Sequence, residues 1–195
     1  MQEKSVTWIT IVSGLPRSGT SLMMQMLAAG GMPVLTDGKR AADEDNPNGY
    51  FELEAVKTTR AAGAWLAQAQ GKAVKLVHLL LLELPREGYS YRVVLMKRRM
   101  AEVLASQRVM LQRAGKRGAL IGDEQLAQIF LGQMQRVEQW LKEQPHFRVL
   151  PVDYNELMAN PRPQAAAIND FLGGALDPAR MAQAVDSRLY RQRTG

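Results

Sequence analysis

The sequence predicts an α/β domain of three layers, a parallel β-sheet flanked by helices on both faces. Three observations predict it. Short apolar runs rich in β-branched residues alternate with stretches of helical periodicity, the pattern of parallel strands joined by crossover helices. The first apolar run leads into a glycine-punctuated loop and then at once into a helix. The composition, 46% hydrophobic and 23% charged over 195 residues, suits one domain, 1–195, with a sizeable core. No linker, internal repeat or low-complexity tract interrupts it.

The elements run in order along the chain. Val6-Thr7-Trp8-Ile9-Thr10-Ile11-Val12 reads as a buried strand, and residues 22–29 as a helix ended by Gly30-Gly31. Residues 32–35 read as a short strand. Residues 37–50, polar and holding Gly, Pro and Asn, read as a loop. A helix is expected over 51–70, stopped by Gly71. Residues 73–77 form the second strand, 79–84 one or two helical turns before Pro85, and 91–96 the third strand. Met100, Val103, Leu104, Gln107 and Leu111 then recur at helical spacing. Residues 114–122 form a glycine-rich loop. Asp123 is the expected N-cap of a helix that carries Leu126, Ile129, Phe130, Val137 and Leu141 on one face and stops before Pro145. Residues 147–152 form the last strand, and 154–158, 163–172 and 178–185 short helices. In such a sheet ligands bind beyond the carboxyl ends of the strands. A side chain just after a strand is therefore a site candidate, and one just before a strand is not.

Composition narrows the partners. With no cysteine there is neither a disulfide framework nor a thiolate metal site, and no clustered ligands imply a metal. No apolar run approaches the ~18 residues of a membrane span. The first residues show no small-residue cleavage site, so a cytoplasmic protein is expected. The net charge of +6 suits an anionic ligand. The basic residues are scattered apart from Lys97-Arg98-Arg99, with few aromatics beside them, so nucleic acid is not the expected partner.

The most informative stretch is Gly14-Leu15-Pro16-Arg17-Ser18-Gly19-Thr20-Ser21. Between a strand and a helix, its amides and the helix N-terminus converge on one spot that favours an anion. Gly14 and Gly19 let the backbone turn there. The spacing approaches Gly-x4-Gly-Lys-Ser/Thr, but Thr20 stands where the lysine would be, which argues against an ordinary ATPase or GTPase. Arg17 supplies cationic charge from within the loop. After the third strand, Arg98 is followed by Ser106, a guanidinium and a hydroxyl suited to a phosphate. Lys75 lies inside an apolar strand, where a cation is costly without an anionic partner. Of the two histidines, His78 follows a strand and falls on the site edge, while His146 precedes one and falls on the wrong edge.

Pro16-Arg17-Ser18-Gly19-Thr20-Ser21 resembles the 5′-phosphosulfate loop of sulfotransferases that use 3′-phosphoadenosine 5′-phosphosulfate (PAPS). Four further patches are similar to that family, in the same order: Asn46-Pro47-Asn48-Gly49-Tyr50-Phe51-Glu52, Lys75, the Arg98/Ser106 pair, and the segment from Val149 to Gly173. Arg99-Met100 and Leu76-Val77 stand where the family carries Asp-Pro. The resemblance implies a P-loop nucleotide-hydrolase-like fold of the sulfotransferase type and PAPS as co-substrate. It implies transfer of a sulfuryl group to an acceptor hydroxyl or amine whose class the motifs leave open. Gly14, Pro16, Arg17, Ser18, Gly19, Thr20 and Ser21 would hold the 5′-phosphosulfate, with Lys75 beside them, and Arg17 would also serve catalysis. Arg98 and Ser106 would hold the 3′-phosphate. Glu52 would be the base, with His78 ranked below it, and Arg188, Arg191 and Arg193 would cover the nucleotide. Two other readings stay open: a nucleotide or small-molecule kinase lacking the loop lysine, and a non-catalytic nucleotide- or nucleic-acid-binding module.

Overall fold

The computed structural model describes residues 7–43, 46, 49–57, 62–113, 115 and 121–190. Four strands, β1 (Trp8–Gly14), β2 (Ala73–Val77), β3 (Ser90–Lys97) and β4 (Phe147–Asp153), pair in parallel in the order β2-β1-β3-β4. The helices are α1 (Thr20–Ala29), α2 (Ala62–Ala69), α3 (Met100–Arg113), α4 (Asp123–Lys142), α5 (Tyr154–Ala159), α6 (Pro161–Leu172) and α7 (Pro178–Gln183).

Alternation along the strands builds two cores, one on each face of the sheet. Ile9, Ile11, Val74, Leu76, Val93 and Leu95 face one side and meet Trp65 and Leu66 of α2, Val103 of α3, and Phe130, Val137 and Leu141 of α4. Val12, Val94, Met96 and Val152 face the other and meet Met23, Met24 and Leu27 of α1, Leu157 of α5, Ile168 of α6 and Met181 of α7. The three layers match the expected architecture.

The connections position the site. α1 leaves β1 across one face, whereas α3 and α4 leave β3 across the other. Chain that departs in opposite directions from two neighbouring strands opens a crevice at their carboxyl ends. The register pairs Gly14 with Met96, so the loop after β1 and the segment after β3 start level with each other.

Several elements depart from the sequence expectation. β1 runs to Gly14, so no spacer separates strand from loop. Residues 32–35 reduce to a single parallel bridge, Val34 to Ala73, on the outer edge of β2. The helix expected over 51–70 is not continuous. Phe51 has φ 52° and comes two residues after Gly49 at φ 90°, and neither angle is helical. The Glu52 carbonyl accepts from Thr36 Oγ1 at 2.8 Å and from the Asp37 amide at 3.2 Å, which commits it to the loop. Only a 3-10 turn at Glu54–Lys57 and α2 remain, with residues 58–61 outside the described set. Gly122, not Asp123, is the N-cap of α4, and Asp123 instead pairs with Arg108 at 3.3 Å. In the loop expected over 114–122, residues 114 and 116–120 lie outside the described set. α6 begins two residues early, at Pro161, because proline is preorganised for the first helical turn. Among the described residues no helix is long and apolar enough to cross a membrane.

Candidate functional site

The loop after β1 is built by close packing. Gly14 has φ 153°, and a Cβ there would lie 2.5 Å from Ser18 Oγ and 2.6 Å from the Met96 carbonyl oxygen. Gly19 caps α1 at φ 99°, and its Cβ would lie 2.4 Å from Cδ2 of the Tyr154 ring. Both positions therefore require glycine. Arg17, between them, adopts φ 69°, a left-handed conformation that a non-glycine residue holds only when its surroundings impose it. Among the described residues no side chain caps the N-terminus of α1, and no acidic residue occupies its first turn, so the amides and the dipole there suit an anion. Ser18 Oγ is buried without a hydrogen-bond partner among the described residues, a further orphaned group in the same loop. This donor set fits a phosphate or sulfonate.

A cavity of about 350 Å³ opens over the loop. It gathers Gly14, Pro16, Arg17, Gly19, Thr20 and Ser21 with Glu52, Lys75, Arg98 and Ser106, and Ser18 sits behind its wall. Arg17 Nε donates to Ser106 Oγ at 2.9 Å, and Arg98 donates to the Arg17 carbonyl at 3.1 Å. The side chains proposed for the two ends of a nucleotide are thus joined directly. The Arg98 guanidinium lies over the Tyr154 ring, 4.3 Å from its centroid, and its Nε donates to Glu102 Oε2 at 2.9 Å. Burial pushes the Glu102 carboxyl up, but hydrogen bonds from Arg98, Tyr190 and Asn155 outweigh it and hold the group below the usual carboxylate range.

The wall beside β2 carries the candidate base. Lys75 donates to the Tyr50 carbonyl and lies 3.4 Å from Ser21 Oγ and 3.8 Å from Glu52 Oε1. Burial pulls the Lys75 ammonium down to about 8 despite the opposing charge of Glu52. Arg40 holds the same Glu52 oxygen at 2.8 Å and stacks 3.4 Å over the centroid of Tyr50, whose hydroxyl donates to Asp43. His78 is not gathered here. It is 2% exposed, its Nε2 lies 2.9 Å from Gln133 Oε1 of α4, and burial pulls its imidazole down. His146 is exposed on the opposite edge, as expected. Arg188 pairs with Asp186, while Arg191, Arg193, Pro47 and Asn48 lie outside the described residues. Among the described residues no group of three or more His, Asp or Glu side chains is placed to hold a metal.

Sequence reasoning did not single out Arg40, Asp43, Glu102 or Tyr190, and it gave no role to Tyr50, Tyr154 or Asn155 within the segments that resemble the family. One signal was available: Glu102 stands four residues after Arg98, the spacing of a helical ion pair.

The fold has counterparts among solved structures. The sulfotransferase domain from the curacin biosynthetic pathway is 15% identical with a TM-score of 0.52, over 97% of this chain and 92% of that one. The sulfotransferase domain from the Synechococcus PCC 7002 olefin synthase is 17% identical with a TM-score of 0.53, over 100% and 86%. Retinol dehydratase, solved with androsterone and the inactive cofactor PAP, is 16% identical with a TM-score of 0.52, over 92% and 63%. At such identities the likeness is one of fold. No curated protein matches the chain in sequence. The model of the sulfotransferase domain matches residues 9–192. Because that match runs from β1 past Tyr190, the chain belongs to the sulfotransferase family, enzymes that transfer sulfuryl groups.

Proposed function

We propose that this protein transfers a sulfuryl group from PAPS to an acceptor hydroxyl or amine, acting as a single domain. The observation that carries the proposal is the 2.9 Å contact between Arg17 and Ser106, which joins two phosphate-suited clusters across the β1/β3 crevice. A ligand with anionic groups at both ends of one nucleoside fits such a pair. Retinol dehydratase, similar in fold, was solved with PAP, which supports the choice of nucleotide.

PAPS would supply the sulfuryl group. The loop amides with Arg17, Ser18, Thr20 and Ser21 bind its 5′ end and stabilise charge on the departing phosphate. Lys75 adds a cation from β2, within 3.4 Å of Ser21 Oγ. Arg98 and Ser106 bind the 3′-phosphate, which a guanidinium grips through two N–H groups. Glu52, on the cavity wall beside Lys75, takes the acceptor proton. His78, bonded to Gln133 and outside the cavity lining, fixes α4 against the end of β2.

Titration calorimetry tests the reading. Adenosine 3′,5′-bisphosphate is expected to bind without Mg²⁺ and more tightly than ATP, and PAPS to support turnover in an acceptor screen. Tighter, Mg²⁺-dependent binding of ATP would replace this reading with that of a kinase.

A further inference from the structure

We propose that Tyr190 is a positioning residue of the nucleotide site: through Glu102 its hydroxyl fixes the Arg98 guanidinium, making residues 186–190 a working part of the donor pocket. The inference rests on the donor reading above and adds a residue and a segment to it.

The argument begins with Glu102. Its side chain is fully buried on α3, and a buried carboxylate is costly unless its oxygens are partnered. Among the described residues its hydrogen-bond donors include side chains from three places in the chain. Arg98, at the end of β3, donates to Oε2 at 2.9 Å. Asn155 of α5 donates to Oε1 at 2.9 Å, and Tyr190 donates to the same oxygen at 2.7 Å. Glu102 thus gathers the C-terminal segment, the start of α5 and the arginine at the cavity into one node.

The C-terminal segment is shaped for this contact. Asp186 accepts the Arg188 amide at 2.9 Å and caps a 3-10 turn at Ser187–Leu189, which delivers Tyr190 to Glu102. Asp186 itself lines the cavity, so the residue that caps the turn forms part of its wall. The Tyr190 ring stands edge-on to Tyr154, with centroids 5.5 Å apart, and Arg98 lies over both rings. Tyr154 is also the ring on which Gly19 rests. The C-terminal segment therefore bears on the nucleotide site twice: through a hydroxyl on the carboxylate that orients Arg98, and through a ring on the platform under the loop.

These two routes separate chemically. Phenylalanine at position 190 keeps the ring and removes the hydroxyl. Oε1 of Glu102 then loses a donor, and the carboxylate that orients Arg98 is less constrained. The hydroxyl makes its bond to Glu102 rather than to the loop that holds the 5′ end, and the change reaches that loop only through the 3.1 Å bond from Arg98 to the Arg17 carbonyl. Loss of the hydroxyl therefore falls chiefly on ligands that carry a 3′-phosphate.

Tyr190→Phe and Tyr190→Ala are compared with the wild type by calorimetry, using adenosine 3′,5′-bisphosphate and adenosine 5′-monophosphate. Tyr190→Phe is expected to weaken the bisphosphate roughly 3- to 10-fold while leaving the monophosphate within about twofold. Its bisphosphate off-rate should rise by the same factor. Tyr190→Ala should widen the bisphosphate loss, with some loss of the monophosphate as the ring under Tyr154 goes. Equal losses for both nucleotides with Tyr190→Phe, or no loss for either, would overturn the inference and leave the donor reading standing. A wild type that binds neither nucleotide overturns the donor reading and this inference together.

Discussion

Arg17 donates to Ser106 at 2.9 Å across 89 residues of chain, so the loop after β1 takes its set from the middle of α3. Ser106→Ala removes that anchor but keeps the charge of Arg17. The expected result is weaker binding of adenosine 3′,5′-bisphosphate, about 3- to 10-fold, with a smaller loss for adenosine 5′-monophosphate. Ser106 lies within a helix, which alanine suits, so the unfolding midpoint in urea should barely change. An unchanged affinity for both nucleotides would show that Arg17 needs no anchor.

Gly19→Ala tests the seat of the loop. At φ 99° the substitution carries about 1–3 kcal/mol of backbone strain. Its Cβ, 2.4 Å from Tyr154, adds overpacking of about 1–3 kcal/mol. Gly31→Ala is the control, since φ 96° imposes similar strain and no atom lies within 4 Å. Urea unfolding should rank Gly19→Ala well below Gly31→Ala, and equal midpoints would mean that the Tyr154 ring yields freely.

Lys75 gives the protein a pH dependence of known sign. Its ammonium falls from the ordinary 10.5 to about 8 in the folded state. Between those values the unfolded chain holds a proton that the folded one has released, so stability rises with pH across the window. Below about pH 8 both states are protonated and the penalty is constant. The rise from this residue is on the order of 3 kcal/mol. Lys75→Met should raise stability at pH 7 and flatten the slope between pH 8 and 10.5 relative to the wild type. Parallel wild-type and variant profiles from urea melts would rule out the shift.

Glu52→Gln separates chemistry from binding. Turnover should fall by about 10²–10⁴ while bisphosphate affinity holds, because a base acts only as the bond to the acceptor forms. His78→Asn should instead leave kcat near normal and cost about 1–3 kcal/mol of stability, since it breaks the bond to Gln133 in a buried setting. Kinetics with PAPS and an acceptor that works with the wild type decide it. The reverse pattern would move the base to His78.

The sheet and the loop were legible because each is written locally. Ile9 and Ile11 alternate with Thr10 and Val12, and Gly14 and Gly19 bracket the loop behind that strand. Arg98 was legible as a candidate by its place after a strand, since a parallel sheet exposes its carboxyl ends to ligands, and Ser106 only by a spacing from Arg98 that resembles the sulfotransferase family. The segment around Phe51 was not. Its residues suit a helix, but Thr36 and Asp37 take the Glu52 carbonyl from across the loop, and no local pattern announces that. Arg40 escaped notice for the same reason, because its meaning lies in Glu52 and Tyr50, ten or more residues away. Tyr190 and Asn155 are ordinary polar residues in sequence, and only the fold brings both to one carboxylate oxygen.

The strand order has a consequence for how the chain reaches this structure. β1 lies between β2 and β3, so it has no strand partner until residues 73–77 exist and lacks the second until residues 90–97 do. Every pairing among the four strands is parallel, which rules out hairpins between them and obliges each strand to wait for a distant partner. Such non-local closure makes folding slow relative to helical proteins of the same size. Arg17 then waits longer still, because Ser106 comes after the third strand. A nascent chain ending before α3 can hold the glycine loop yet lacks the hydroxyl that sets its arginine, so anion affinity should mature late in synthesis, after the sheet has closed.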